Sequence, residues 1–164
     1  MGRGATKAAG NVWYEARINA AKWNDKLSSR EGASEKLGVC IDTINNAERG
    51  LYKCMPVDVA VIMADEYKAP HLLNYYCLHE CPIGCRQSIS DEVCDLDRLT
   101  VKLMKNLRVS ELESIKESLL DIAEDGKITE EEKPELRRIL EYLDGVAKLV
   151  SELKILGATA LHED

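Results

Sequence analysis

Up to about residue 85 the apolar residues come in short clusters, each ended by turn formers: Ser28-Ser29, Gly38, Gly50, Pro56, Pro70, then Pro82 and Gly84. Clusters of that length predict four or five short helices. No stretch alternates β-branched and polar residues long enough to predict a strand. Beyond residue 85 the pattern changes to two long helical stretches. The first opens at "SISDEVCDLDRL", with Ser90 as N-cap and Asp91 and Glu92 in the favourable first turn. Leu96, Leu99 and Leu103 follow a heptad spacing, the phase slips near "KNLRVS", and the stripe resumes at Leu112, Ile115, Leu119 and Ile122. The second stretch carries Leu136, Ile139, Leu143, Val146, Val150 and Leu153 at steps of three and four. Stretches of about 35 and 27 residues, rising about 1.5 Å per residue, make rods of roughly 50 and 40 Å. Rods of that length cover their stripes by pairing with each other, with a second copy, or both.

The loop between the stretches, "DIAEDGKITEEE", resembles an EF-hand calcium loop at Asp121, Asp125, Gly126, Ile128 and Glu132. Ala123 stands at the third ligand position, and Lys127 adds a positive charge. A plain turn explains the same residues: Asp-Gly as turn dipeptide, Gly126 as C-cap, Thr129 with Glu132 as a capping box, and Pro134 in the first turn of the next helix.

Composition sharpens this all-α expectation. The chain has 164 residues, 45% of them hydrophobic, with four prolines and no Phe, which is a folded chain with room for one domain and an extension. The longest apolar run, "VAVIMA", is too short to span a membrane. "MGRGATKAAG" has no apolar core of a signal peptide, so a cytoplasmic protein with six reduced cysteines and no membrane partner is expected. The net charge of −7 is unevenly placed: +2 over residues 1–60 (nine basic, seven acidic) and −9 over residues 61–164 (thirteen basic, twenty-two acidic). Only the first part is suited to a polyanion.

Within that part, "KLSSREGASEKLGVCIDTINNAERG" predicts a helix capped by Ser29 and running through Leu37. Ala33 and Leu37 face inward. Gly38 makes the turn, Val39 enters the core, and a second helix covers about Ile41 to Arg49. The "LGV" turn, Thr43-Ile44, the "AERG" ending, and Pro56 opening a helix that contains "IMADEY" together resemble the Xre/Cro-like, lambda-repressor-like helix-turn-helix family over residues 11–80. That resemblance implies a five-helix head whose Ile41–Arg49 helix enters the major groove. It places Asp42, Thr43, Asn45 and Asn46 against base edges, where Asn pairs with adenine and Thr offers a hydroxyl and a methyl. Arg17, Lys22, Lys26, Ser29, Arg30, Arg49 and Lys53 are the candidates for phosphate contact and positioning. The sequence departs from the family pattern at Gly32, which costs a helix about 1 kcal/mol. It departs also at Asp42, which repels phosphate unless it accepts from cytosine, and at Cys40, where Ser is the usual cap. Glu48 is expected to hold the following loop.

The expected organisation is a flexible arm (1–10), the DNA-binding head (11–80), a Cys/Pro/Gly hinge (81–89), an antiparallel two-helix hairpin or coiled coil that dimerises the chain (90–157), and a tail (158–164). "YYCLHECPIGCRQ" followed by Cys94 offers Cys77, His79, Cys81, Cys85 and Cys94 as ligands for Zn²⁺ or an iron–sulfur cluster. The C-x3-C-x3-C spacing fits no standard template, so a core Cys77, a "CPIG" hinge and a packed Cys94 explain the residues with no cofactor. His71, His79 and His162 are scattered and no phosphate-cradling Gly loop occurs, so no enzyme is expected. The expectation is a transcriptional regulator that reads a palindromic operator on double-stranded DNA as a homodimer. The alternatives are a protein–protein adaptor with acidic rods and a metal- or redox-sensing version of the regulator.

Overall fold

The computed structural model describes residues 8–124 and 126–161, and among these residues every regular element is helical. The chain divides into two compact units, one of residues 8–87 with 158–161, the other of residues 88–157.

The first unit contains α1 (Val12–Ala20), α2 (Arg30–Leu37), α3 (Ile41–Glu48), α4 (Val57–Glu66) and α5 (His71–His79), with 3-10 turns at Asp25–Ser28 and Gly84–Arg86. Local chemistry sets the boundaries. Asn11 caps α1 by accepting from the Trp13 and Tyr14 N–H groups at 2.9 and 3.3 Å. Gly38 ends α2 in the left-handed region at φ 67°, which favours glycine. Pro56 and Pro70 precede α4 and α5. The core gathers Trp13, Leu27, Ala33, Ile44, Met55, Met63 and Leu72. It is built from many small contributions, since six of its members are alanines of α1 to α4 that let the short helices approach closely. Ala8 is buried and its carbonyl accepts from the Asn11 N–H, so the residues just before α1 are packed; residues 1–7 of the expected arm lie outside the described residues.

The second unit departs from the two-rod expectation. The first stretch begins at Leu96, not Ser90, because Asp95 caps the Arg98 N–H at 2.7 Å. Ser90 instead lies outside any helix and is tied to the last one, its N–H donating to Ser151 Oγ at 2.7 Å. The phase slip proves to be a break, which separates α6 (Leu96–Asn106) from α7 (Val109–Ala123) at Leu107-Arg108. α8 (Lys133–Leu161) runs 29 residues and carries into the expected tail; residues 162–164 lie outside the described residues. Ile115 and Ile122 of α7 pack with Ile139 of α8, flanked by Ser118–Glu135 at 2.8 Å and Arg138–Glu111 at 3.2 Å. The Arg138 and Ser118 hydrogen bonds hold the Glu135 carboxyl down to about 2. Toward the other end, buried Glu152 accepts from Lys102, which also pairs with Glu92.

The turn before α8 is a capping turn. Gly126 has φ 69°, and the Glu132 carboxylate accepts from both the N–H and the hydroxyl of Thr129 at 2.7 and 2.8 Å. Glu132 would be the bidentate ligand of a calcium loop, and here it is engaged by Thr129. Asp125 lies outside the described residues.

Candidate nucleic-acid interface

The site is built on α2, its Gly38 turn and α3. Ser29 Oγ accepts from the Gly32 N–H at 3.0 Å and fixes the start of α2. At its other end the Ser34 hydroxyl donates to the Val39 carbonyl at 2.6 Å, and Val39 packs against the core as the sequence anticipates. Ile44, Ala47 and Glu48 take the inner side of α3, with exposures of 0%, 3% and 1%. By helical periodicity the outer side then carries Asp42, Thr43, Asn45, Asn46 and, past the last turn, Arg49. Asp42 and Arg49 are exposed, the other three half-buried. Among the described residues, no hydrogen bond or ion pair engages the side chains of Thr43, Asn45 or Asn46.

Glu48 sets the attitude of α3. Its two carboxylate oxygens accept from Nε and Nη2 of Arg17 and, at 2.6 Å, from Nε of Arg30. Arg17 also donates to the Leu27 and Ser28 carbonyls at 2.8 and 3.2 Å. The buried Glu48 carboxylate thus joins α1, α2 and α3, and Arg17 extends the tie to the 3-10 turn. Asn11 adds a second tie, donating to the Ala47 carbonyl at 3.1 Å. The expected phosphate set is corrected accordingly. Arg17 is 3% exposed and turned into the core, so its charge serves packing; Arg30 is one-third exposed and already paired. Lys22, Lys26, Arg49 and Lys53 remain exposed cations around α2 and α3, and Ser29 is exposed at the α2 N-terminus.

Gly32 is explained rather than merely tolerated. A Cβ there would stand 2.0 Å from the Lys26 carbonyl oxygen, so only glycine lets α2 lie against the 3-10 turn. Cys40 occupies the N-cap of α3 in extended conformation and makes no side-chain bond to the helix. Cys40→Ser supplies the missing acceptor, with an expected gain of about 0.5–1 kcal/mol in urea unfolding monitored by circular dichroism.

The proposed metal ligands do not converge. Among the described residues no group of three or more His, Cys, Asp and Glu is placed to hold a metal ion. Cys81 Sγ accepts from the Gly84 N–H, Cys85 donates to the Pro82 carbonyl at 3.3 Å, and His79 stacks on Tyr75 with ring centroids 4.4 Å apart. Cys77 lies beneath Gly84, whose added Cβ would come 2.7 Å from its Cα. Cys94 belongs to the other unit, where burial and its hydrogen bond to Glu152 push the thiol up, against the thiolate form a metal needs.

Sequence reading missed three supports of the site: the Arg17–Glu48 pair, the Asn11–Ala47 tie and the Glu80 carboxylate, which accepts from the Met55 N–H and anchors the loop after α3. Only Asn11 left a local signal, as an N-cap before "VWYE". No protein-family model, curated protein or solved structure matches the chain.

Proposed function

We propose that the chain is a sequence-specific DNA-binding transcriptional regulator whose first unit is a lambda-repressor-like helix-turn-helix head reading a half-site with α3. The observation that carries this reading is the outer side of α3: Asp42, Thr43, Asn45 and Asn46 form one polar strip with uncommitted Asn and Thr groups, backed by a rigid buried ion network. Base-edge recognition needs such side chains held on a firm support. Exposed Lys22, Lys26, Arg49 and Lys53 supply the charge that phosphates attract.

The second unit serves as the dimerisation element. Ile139, Leu149 and Ile155 of α8 are buried, whereas Leu140, Leu143, Val150 and Leu153 stay open, as do Leu112 and Leu119 of α7. Repeated large apolar residues beside a filled seam favour a second copy of the same chain. Two heads on one dimer make the second half-site contact intramolecular.

Fluorescence anisotropy on the duplex upstream of the protein's own coding region, against a scrambled duplex over a salt series, tests the reading. With about four phosphates neutralised by each head, about eight for the dimer, log K is expected to fall with log salt at a slope of about −7. Asn45→Ala and Asn46→Ala are each expected to weaken binding to the upstream duplex by about 1–3 kcal/mol, roughly 5- to 150-fold, with little effect on the scrambled one. Absent or salt-insensitive binding by folded protein points to the adaptor instead.

A further inference from the structure

We propose that Cys54 and Cys81 are a peroxide-sensitive thiol pair that closes into a reversible disulfide between the α3–α4 loop and the end of α5. Cys54 is distant in sequence from the cluster of Cys77, Cys81 and Cys85, yet the first unit brings it, exposed, to the end of α5. The Cys54 thiol donates to the Glu80 carbonyl oxygen at 3.7 Å and to the Met55 carbonyl at 3.8 Å, and lies 4.0 Å from the Tyr76 phenol oxygen. A peptide oxygen sits about 2.8 Å from the next Cα, given standard bond lengths, so the Cys54 sulfur is within about 6.5 Å of Cα of Cys81. A disulfide needs a separation of roughly 4 Å between those atoms, a small movement for an exposed loop.

The loop is held in this place from both ends. The Glu80 carboxylate accepts from the N–H of Met55, itself 2% exposed, and the Cys81 N–H donates to the Tyr76 carbonyl at 3.0 Å. The other thiols are differently disposed. Gly84 lies on the Cα and Cβ of Cys77, and Cys85 points its thiol to the Pro82 carbonyl. Cys54 is thus the accessible attacking group and Cys81, whose sulfur accepts from the Gly84 N–H at 3.4 Å and turns from it to form the bond, its partner across the loop.

A hydroperoxide is the oxidant. The Cys54 thiolate attacks the distal peroxide oxygen and the O–O bond breaks; with one proton taken up, the products are the sulfenic acid of Cys54 and an alcohol or water. The Cys81 thiolate then attacks the sulfenic sulfur, the S–O bond breaks, and the departing hydroxide takes a proton and leaves as water. Two thiols are oxidised and one peroxide is reduced. An external dithiol reverses the bond by exchange. The bond would tie the loop that follows α3 to the residue opening the 81–89 segment. The pairing rests on the geometry of the first unit and does not depend on DNA binding.

The test treats the reduced full-length chain with equimolar hydrogen peroxide, then blocks free thiols with iodoacetamide before tryptic mapping. Cys77, Cys81 and Cys85 share one tryptic peptide, residues 69–86, so tandem spectra must assign the partner. The expected result is a chain that runs as a monomer on a denaturing non-reducing gel with two of its six thiols protected, a Cys54–Cys81 cross-linked peptide, and full recovery of six thiols with dithiothreitol. Cys54→Ser and Cys81→Ser each abolish the link while leaving the far-ultraviolet circular dichroism unchanged. Pairing of Cys81 with Cys85 or Cys77, cross-links only between chains, or a fully alkylated Cys54 overturns the proposal.

Discussion

Glu48→Ala is expected to lower the stability of the first unit by about 3–5 kcal/mol, the usual cost of removing one partner of a buried ion pair. The cost comes from what stays behind. Arg17 is 3% exposed and keeps the Leu27 and Ser28 carbonyls and the face of the Tyr14 ring, 5.5 Å from its guanidinium carbon, so its charge is left in the core without a counter-charge. Burial pushes the neighbouring Tyr67 phenol far up and Glu48 adds to the effect, so the core offers the stranded cation no replacement anion. Arg30 is one-third exposed and is set free toward water, so its share of the loss is small. Equilibrium urea unfolding, followed by circular dichroism, reads the effect. The double variant Arg17→Met with Glu48→Met distinguishes lost pairing from lost packing. It should recover most of the stability, because apolar side chains of similar volume commonly replace a buried pair without loss. A Glu48→Ala variant within about 1 kcal/mol of the parent would mean that water or backbone already satisfies Arg17. If α3 reads DNA, the double variant also separates fold from function, since α3 would be present with its attitude no longer fixed by the ion network.

The same pair shows why the sequence was legible only in part. The short helices of the first unit were readable because caps, prolines and Gly38 act locally, within a few residues of the boundary they set. The α3 inner side was readable too, since Ile44 and Ala47 follow the helical period. Arg17, however, looks in sequence like any surface cation on an amphipathic helix; only its approach to Glu48, 31 residues further on, turns it inward. In the second unit the heptad stripe marked helix, and its end at Ala123, but misplaced the start of the first stretch. Asp95 caps the helix in place of Ser90 because residues 88–94 are tied to α8 through Ser88, Ser90 and Cys94, a partner no local pattern reveals. The stripe on α8 likewise mixed two surfaces: Ile139 is buried, whereas Leu143 and Leu153, each 43% exposed, are open. The clustering of the cysteines offered ligands for an ion, although their spacing fits no template, and the Cys81 and Cys85 thiols are engaged by the backbone at Gly84 and Pro82. Cys54, distant in sequence, is brought to the Glu80 carbonyl, one residue before Cys81.

Gly32→Ala is expected to destabilise the first unit by about 1–3 kcal/mol, although helix propensity alone predicts a gain of about 1 kcal/mol. Two effects of opposite sign meet at this residue, and distance decides between them. The new methyl would lie 2.0 Å from the Lys26 carbonyl oxygen and 2.9 Å from its carbon, both backbone atoms. No side-chain rotation relieves such a contact. Either α2 or the 3-10 turn must move, and each is pinned. The turn carries Leu27, fully buried, whose carbonyl accepts from Arg17. α2 is held by Ser29 at its start, by Arg30 on Glu48, and by the Lys36–Glu66 bridge at 3.0 Å. Shifting α2 therefore loosens the ion network beneath α3 and exposes part of the Ala33–Leu37 face. Urea unfolding beside Glu35→Ala, an exposed position on the same helix where only propensity and surface charge change, isolates the steric effect. If Gly32→Ala proved as stable as that control, the backbone of the 3-10 turn would have to yield by more than an ångström at no cost. The close approach would then be no reason for glycine at this position.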